Sequence, residues 1–295
     1  MMDTVLRATR RAGRAITYAE SGVTAGFPVL MIGGMPGGRL MTPNPDLLID
    51  LNLKVLTHDR PGYGHSDPLP GRTVSDVVED YLIILDEAGH DRVAVYGGSA
   101  GGPHALALAA HAPDRVVAVT IRSGSAPLNE QETAGLGELA GSVAPLLADR
   151  QTLLAAIGKV REQILAEGLA SVLDRVTASP TQPTSQIRSD GFTVAMNDAL
   201  APGPDGMVDD LRALRHLPWG FDPEDVKAPV RWYHGDLDGS VPFTAAARFA
   251  AKLPACTFTT WTDSGHLPSP ERIESTWRQL ALDINAPGVG STTLR

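Results

Sequence analysis

The sequence has one cysteine, few aromatic side chains and fewer basic than acidic residues. Cys256 is the only cysteine among 295 residues, so no disulfide can form within the chain, and its apolar neighbours predict a buried packing role. Lysine and arginine number 25 against 34 aspartates and glutamates, which gives a formal net charge of −9. Nucleic acid calls for the opposite balance, and the acidic charge also disfavours an anionic membrane surface. Aromatic residues make up 5% of the chain, which leaves few side chains for stacking on a ligand.

Long apolar segments are also missing. No window approaches the roughly 18 uncharged residues of a membrane span, and the arginine-rich start has no apolar stretch of signal-peptide length. These absences predict a cytoplasmic protein. No histidine pair has zinc-like spacing, so neither a metal nor another cofactor is expected. The expected partner is a small-molecule substrate, and the sequence leaves the oligomeric state open between a monomer and a homodimer.

Short apolar segments alternate with helical patterns over most of the chain. This alternation predicts a mainly parallel sheet that is covered by helices on both faces. An opening hairpin, Thr4–Arg10 with Ala15–Glu20, makes the sheet mixed. The later predicted strands are Val29–Ile32, Leu53–Thr57, Val93–Tyr96, Val116–Ile121, Val230–His234 and Thr257–Trp261. The predicted helices run from a capping box at Thr73 and Asp76 to Gly89, and over His104–His111, Thr244–Lys252 and Pro270–Leu282.

The alternation lapses between residues 126 and 222. A crossover between neighbouring parallel strands needs only about a dozen residues, so this stretch is too long for one. Helical periodicity occurs in Leu146–Ile164, in Leu165–Val176 and around Met207–Leu214, and Pro180 and Pro183 interrupt it. The sequence therefore predicts a core of residues 1–125 and 223–284, a helical cap of residues 126–222 and a flexible tail of residues 285–295.

A glycine-rich segment, G-G-S-A-G, follows the predicted strand Val93–Tyr96 and places Ser99 between glycines. It fits G-x-S-x-G, a sharp strand-to-helix turn that exposes a serine nucleophile at a helix N-terminus. Acyl transfer needs such a nucleophile beside a base and an oxyanion donor. The short pattern also occurs by chance as an ordinary glycine-rich turn. The apolar strand before it and the small-residue helix after it favour the nucleophile.

Two later loops contain the partners that a nucleophilic serine requires. A histidine must accept the serine proton, and a carboxylate must orient that histidine. The loop after Val230–His234 contains Asp236 and Asp238, and the loop after the last predicted strand contains His266. Both loops lie at the carboxyl ends of strands, where catalytic groups of parallel sheets collect. The chain order of serine, acid and histidine is the one expected for a nucleophile elbow.

Four motifs resemble the α/β-hydrolase superfamily: the elbow at Ser99, H-G-x-x-D-x-x-V-P from His234, S-G-H-x-P around His266 and D-R-P-G-x-G-x-S-D from Asp59. The resemblance covers residues 4–125 and 223–283 and implies an eight-stranded, mostly parallel sheet with helices on both faces and an inserted helical cap. It assigns the triad to Ser99, Asp238 and His266. Some members take their acid from the loop after the sixth strand, but residues 122–126 contain no carboxylate, which favours Asp238. Asp236 is then a solvated loop residue.

The resemblance also implies an oxyanion hole made by the N–H groups of Met35 and Ala100. Met35 lies in the loop after the third strand, where Gly33 stands in place of the histidine that is common in the family. That departure leaves open how the loop is held and whether the chemistry is hydrolysis. His104 and His234 are predicted to be structural. The residues predicted to contact substrate, unless they serve only in packing, are Gly34, Phe192, Met196 and Trp219.

Taken together, the motifs predict a cofactor-independent serine hydrolase that acts on a carboxylic ester or related acyl compound. The serine nucleophile argues against the family's epoxide hydrolases and haloalkane dehalogenases, which use aspartate. Proline iminopeptidases resemble the elbow but usually have a bulky aromatic residue where Ala100 stands, so peptidase activity is less favoured. The motifs also fit, less well, a lyase that reuses the triad or a catalytically idle binding protein on the same fold.

Overall fold

The computed structural model describes residues 5–134, 142–169, 171–172 and 189–286. Its strands are β1 (Val5–Arg11), β2 (Arg14–Gly22), β3 (Phe27–Ile32), β4 (Leu53–His58), β5 (Val93–Gly98), β6 (Val116–Arg122), β7 (Val230–Gly235) and β8 (Cys256–Trp261). They form one eight-stranded sheet in the order β1-β2-β4-β3-β5-β6-β7-β8. The pairs β1–β2 and β2–β4 are antiparallel and the other pairs are parallel. The predicted mixed sheet is confirmed.

The helices of the described residues are α1 (Pro45–Asp50), α2 (Val78–Glu87), α3 (Gly101–His111), α4 (Glu130–Ala134), α5 (Arg150–Glu167), α6 (Asp190–Leu200), α7 (Asp205–Arg215), α8 (Phe243–Ala250) and α9 (Pro270–Ile284). The predicted core helices are confirmed. Helices α1, α4 and α6 were not predicted, because α1 and α4 are only 6 and 5 residues long and too short to show a period. None of the helices described is long and apolar enough to cross a bilayer.

Different helices cover the two faces of the sheet. Helices α2, α3 and α8 pack with one cluster of core residues, and α1 and α9 pack with another. On β5, Val93 and Val95 belong to the first cluster, whereas Ala94 and Tyr96 belong to the second. The Tyr96 ring stacks on Trp277 of α9 with ring centroids 4.3 Å apart. A strand that is buried on both faces explains why β5 is a continuous apolar run rather than an alternating one.

Two further sequence predictions have different outcomes. The capping box before α2 is confirmed: the Thr73 N–H donates to Asp76 Oδ2 at 2.7 Å, and the Asp76 N–H donates to Thr73 Oγ1 at 3.2 Å. Cys256, predicted to be buried, is only half-buried. It begins β8, which lies at the edge of the sheet and has a neighbouring strand on one side only.

Helices α5, α6 and α7, between β6 and β7, build a third apolar cluster of their own. They rest on the loops after β3 and β4: Tyr63 and Met35 pack with this cluster, and the Gly64 N–H donates to the Ala199 carbonyl at 2.9 Å. Parts of the predicted cap lie outside the described residues, namely 135–141, 170 and 173–188, which include both prolines and the end of Leu165–Val176. Residues 287–295 of the predicted tail also lie outside them. The cap boundaries at 126 and 222 stay a prediction.

Candidate active site

The three side chains predicted to form the triad meet at the carboxyl edge of the parallel strands. Ser99 follows β5, Asp238 follows β7 and His266 follows β8. His266 Nε2 lies 3.0 Å from Ser99 Oγ, and His266 Nδ1 lies 2.8 Å from Asp238 Oδ2. Both are hydrogen-bond distances. The arrangement allows the imidazole to accept the serine proton while the carboxylate faces its other nitrogen.

The turn at Ser99 has the tight geometry that its glycines predict. Ser99 itself has φ +51°, a left-handed conformation that costs energy for any residue with a Cβ. A Cβ at Gly101 would lie 2.0 Å from the Ile32 carbonyl oxygen, and one at Gly97 would lie 2.9 Å from the Ala105 Cβ. Only glycine lets α3 approach the strands this closely. The strained turn projects the serine hydroxyl toward His266.

The carboxylate of Asp238 accepts hydrogen bonds on both oxygens. Oδ1 accepts the N–H groups of Ser240 and Val241, each at 2.9 Å, and Oδ2 accepts from His266. Burial disfavours the charged form, but the His266 charge and the hydrogen bonds from His234 and His266 outweigh burial and hold the Asp238 pKa well below its usual range. Asp238 is therefore ionised at neutral pH and fixed in orientation.

His234 is a contact of the acid that the sequence did not indicate. Its Nδ1 accepts from the Trp232 indole N–H at 3.3 Å, so its hydrogen is on Nε2. Nε2 donates to the Val241 carbonyl at 3.0 Å and lies 3.2 Å from Asp238 Oδ2. The side chain predicted to be structural thus helps to orient the carboxylate. Its signal in the sequence is the first letter of H-G-x-x-D-x-x-V-P, four residues before the acid.

The neighbouring polar residues support the loops that hold the triad. Asp236 is exposed, as predicted, and its Oδ1 accepts the Ser264 N–H at 3.3 Å. Ser123, in the loop after β6, donates its hydroxyl to the His266 carbonyl at 2.9 Å. Both contacts tie the backbone around His266 to adjacent loops.

The loop after β3 lies directly against the serine. A Cβ at Gly34 would be 3.3 Å from the Ser99 Cβ, so the predicted contact residue Gly34 adjoins the nucleophile. Within the described residues, the N–H groups of Met35 and Ala100 donate to no protein acceptor. Both predicted oxyanion donors are thus available to a ligand.

Arg60, after β4, holds this loop in the place where the family histidine is missing. Its Nη1 donates to the Gly33 carbonyl at 2.6 Å, and its Nη2 donates to the Gly34 carbonyl at 2.7 Å. Two charge-assisted hydrogen bonds fix the two peptides that precede Met35. The sequence did not indicate this role of Arg60, although the residue belongs to the D-R-P-G-x-G motif that begins at Asp59.

Arg60 is in turn held by Asp210 of α7. Asp210 Oδ2 accepts from Arg60 Nη2 at 2.7 Å and from the Tyr63 hydroxyl at 2.9 Å, and Oδ1 accepts from Arg72 Nη2 at 2.7 Å. Burial opposes ionisation of Asp210, but the charges of Arg60 and Arg72 outweigh it, so its pKa lies well below the usual value. This ion cluster connects α7 to the loop beside Ser99.

A second ion cluster connects α6 to the same loops. Arg39, in the loop after β3, donates from Nη1 to Asp59 Oδ2 at 2.5 Å and to Asp198 Oδ2 of α6 at 2.8 Å. Asp59 also accepts the Arg39 backbone N–H at 2.8 Å and the His65 N–H at 3.0 Å. The helical layer is therefore anchored to the sheet by buried charges as well as by apolar packing.

Two buried histidines lie behind these clusters. His104 donates from Nδ1 to the Val74 carbonyl at 3.2 Å and is fully buried, in keeping with the predicted structural role. Burial is the main cause that lowers the pKa of His104 to about 4 and that of His58 to about 3, with the Arg60 charge acting in the same direction. Neither ring nitrogen of His58 has a hydrogen-bond partner among the described residues. Both imidazoles are neutral at pH 7.

A cavity of about 530 Å³ lies beside the triad, with Met35 in its wall. The triad side chains do not themselves line it; the cavity adjoins the site through Met35. Of the predicted substrate contacts, Trp219 lines this cavity, whereas Phe192 and Met196 pack in the third apolar cluster. The lining is mainly apolar and includes Leu128, Ile157, Met207 and Phe249.

The sheet order, the elbow and the loops at its carboxyl edge define an α/β-hydrolase. The chain belongs to this family: the model of the alpha/beta hydrolase fold matches residues 28–272. The match includes the segments of Ser99, Asp238 and His266.

Similar sequences and structures include hydrolases and esterases. The chain is 28% identical over 258 residues to 2-hydroxymuconate semialdehyde hydrolase from Pseudomonas putida, and the matched region covers 84% of each chain. It is 29% identical over 225 residues to pimeloyl-[acyl-carrier protein] methyl ester esterase from Aromatoleum aromaticum, and the matched region covers 73% of this chain and 81% of that relative. An esterase from Exiguobacterium antarcticum has a similar structure, with a TM-score of 0.71 and 18% sequence identity. The superposition covers 97% of this chain and 100% of the esterase. At that identity the structural likeness shows the fold alone, whereas the sequence relatives are hydrolases.

Proposed function

We propose that this protein is a serine hydrolase that cleaves carboxylic esters of small molecules through an acyl-enzyme. Ser99 is the nucleophile, His266 the general base and Asp238 the residue that orients it. The proposal depends on one observation: the two hydrogen bonds of His266, at 3.0 Å to Ser99 Oγ and at 2.8 Å to Asp238 Oδ2.

In the first half-reaction, Ser99 Oγ attacks the ester carbonyl carbon while His266 Nε2 takes the hydroxyl proton. The imidazolium that forms faces the Asp238 carboxylate, which four donors keep in position and ionised. The tetrahedral intermediate then expels the alcohol, which receives the proton from His266, and the acyl group stays on Ser99.

The carbonyl oxygen becomes negative in the intermediate and needs donors fixed in advance. The N–H groups of Met35 and Ala100 supply them in this proposal, and one such donor contributes roughly 100- to 1000-fold in rate. Arg60 keeps the Met35 peptide in place through the Gly33 and Gly34 carbonyls. In the second half-reaction, His266 activates a water that attacks the acyl carbon, and collapse releases the acid and restores the Ser99 hydroxyl.

Two observations support an ester substrate with a hydrocarbon part. The cavity beside Met35 is mainly apolar, so it favours an acyl or alkyl chain of several carbons. One sequence relative is named a methyl ester esterase. A proline-iminopeptidase-like activity is less favoured because Ala100 offers no aromatic surface at the nucleophile.

The test combines active-site labelling with single-turnover kinetics. A fluorophosphonate is expected to label the wild type once, and p-nitrophenyl butyrate is expected to give a burst of one nitrophenol per enzyme. Ser99→Ala should abolish both and lower ester turnover by about 10⁴-fold or more, with an unchanged thermal transition. Ser125→Ala is the matched control, because this nearby serine contacts the elbow through its backbone N–H, 3.0 Å from the Ser99 carbonyl. Full activity of Ser99→Ala would refute the mechanism.

The rival chemistries are separated in the same preparations. Hydrolysis in ¹⁸O-labelled water places the label in the acid product, whereas a lyase that excludes water gives no labelled acid. Proline p-nitroanilide turned over faster than any ester would assign the site to peptidase chemistry instead.

A further inference from the structure

Among the described residues that line the cavity beside Met35, one side chain has a permanent charge. Arg215, the last residue of α7, lines it together with the apolar residues Met207, Leu214 and Trp219. No aspartate or glutamate of the described residues lines this cavity. The described lining is otherwise apolar except for Thr133 and His216. A guanidinium in a mainly apolar ligand cavity is one of the few polar groups that can determine which ligand binds there.

Among the described residues, the Arg215 side chain makes no hydrogen bond and no ion pair with the protein. The chain has more acidic than basic residues, 34 aspartates and glutamates against 25 lysines and arginines, so a shortage of acids does not explain the lack of a partner. Arg212, one helical turn earlier, donates from Nε to the Leu147 carbonyl at 3.0 Å. Arg150 pairs with Asp205 at 2.7 Å. The unpaired state therefore distinguishes Arg215 from other arginines of the same helical layer.

The environment of Arg215 favours an anionic ligand. Burial lowers the pKa of Arg215, and no carboxylate in the part of the chain that the structure describes acts in the opposite direction. The guanidinium nevertheless keeps its charge at neutral pH. A partly desolvated cation without a counter-ion is unfavourable, and the planar fork of arginine matches a carboxylate in bidentate geometry. A cation at a helix C-terminus is favourable in itself, but that effect does not require a place in an apolar cavity.

We propose that Arg215 binds a carboxylate of the substrate, remote from the scissile ester, so that monoesters of dicarboxylic acids are the preferred substrates. This inference rests on the proposed esterase function. The apolar wall between Met35 and Arg215 takes the methylene chain, and the guanidinium takes the charged end.

The kinetic test compares two substrates that differ in one group. Monomethyl suberate carries a terminal carboxylate, and the methyl ester of suberic acid monoamide carries a neutral carboxamide of the same shape. The wild type is expected to prefer the acid by roughly 10- to 100-fold in kcat/KM, the range for hydrogen bonds to charged groups. Arg215→Gln should abolish this preference, and Arg215→Lys should keep part of it. Arg212→Gln, on the same helix and outside the cavity lining, should keep all of it.

A binding experiment separates this proposal from the proposed function. Suberate is titrated calorimetrically into Ser99→Ala and into Ser99→Ala/Arg215→Gln, which needs no turnover. If Arg215→Gln weakens suberate binding at least 10-fold, the carboxylate site is supported even when no ester is hydrolysed. The absence of ester hydrolysis would refute only the esterase function. If neutral esters are hydrolysed while the wild type shows no preference for the acid, or if Arg215→Gln slows both substrates equally, the carboxylate site is refuted and the esterase function stands.

Discussion

Asp210→Asn tests whether helix α7 controls the loop beside the nucleophile. The substitution keeps the shape of the side chain but removes the charge that faces Arg60 and Arg72, whose side chains are 2% and 0% exposed. The amide also presents an N–H₂ group where one oxygen now accepts from a guanidinium. Arg60 then loses the partner that orients it toward the Gly33 and Gly34 carbonyls.

Two magnitudes follow from this geometry. Removing one partner of a buried ion pair costs about 3–5 kcal/mol of unfolding free energy, which is a large part of the roughly 5–15 kcal/mol typical of a whole domain. Loss of an oxyanion donor costs about 100- to 1000-fold in kcat. Asp210→Asn loosens the Met35 donor without deleting it, so kcat is expected to fall by roughly 10- to 100-fold, with KM for a neutral ester nearly unchanged.

The assay measures urea unfolding and ester kinetics on the same preparations, well below the thermal transition. Asp209→Asn is the matched control, because Asp209 is the adjacent buried residue of α7 but binds Arg150 at 2.9 Å and the Gly71 N–H at 3.2 Å, away from the oxyanion loop. Asp209→Asn is expected to lower stability and to leave kcat unchanged. The reasoning fails if Asp210→Asn keeps the wild-type kcat, or if both variants lose kcat alike.

Two further predictions use the same preparations. The pKa values of His58 and His104, lowered by burial to about 3 and about 4, lie below the unfolded value near 6.5, so the unfolded chain binds protons first as the pH falls. Each histidine is expected to lower the free energy of unfolding by about 2 kcal/mol between pH 7 and pH 5. In urea unfolding, His58→Leu should lose less stability than the wild type over this pH range, by about the contribution of one histidine. An equal loss in both proteins contradicts a lowered pKa for His58. Gly34→Ala places a Cβ 3.3 Å from the Ser99 Cβ and should lower ester kcat/KM at least 10-fold. Gly33→Ala meets open space and should keep full activity, so equal losses in the two variants count against the proposed placement of the loop.

The sheet and the meeting of the three triad residues could be predicted because their signals are local. The central strands β3, β5 and β6 are mainly apolar runs, and the elbow at Ser99 is a contiguous pattern of small residues. Parallel strands place their carboxyl ends at one edge, so the loops of Asp238 and His266 converge there without further information. Helix α6 was missed although Ser189 caps it, because its inward face includes Ala195 and Ala199, whose small side chains weaken the apolar period.

The contacts that hold the site could not be predicted because they join residues far apart in sequence. Arg60 and Asp210 are separated by 150 positions, and no pattern near either one indicates that α7 packs on the loop after β4. The absent histidine at Gly33 indicated a departure from the family but not its remedy. In the structure, the Arg60 guanidinium, from the loop after β4, supports the loop after β3 through the Gly33 and Gly34 carbonyls.

Helix α7 connects substrate binding to the chemistry of the proposed mechanism. Asp210 holds the oxyanion loop through Arg60, while Met207 and Arg215 of the same helix line the cavity beside that loop. A rigid helix cannot shift at one of these positions without shifting at the others. If the substrate pairs with Arg215 as proposed and packs against Met207, its binding stabilises the same position of α7 in which Asp210 fixes Arg60. Binding energy from the remote end of the substrate is thereby used to set the oxyanion donor, which raises kcat and not only affinity.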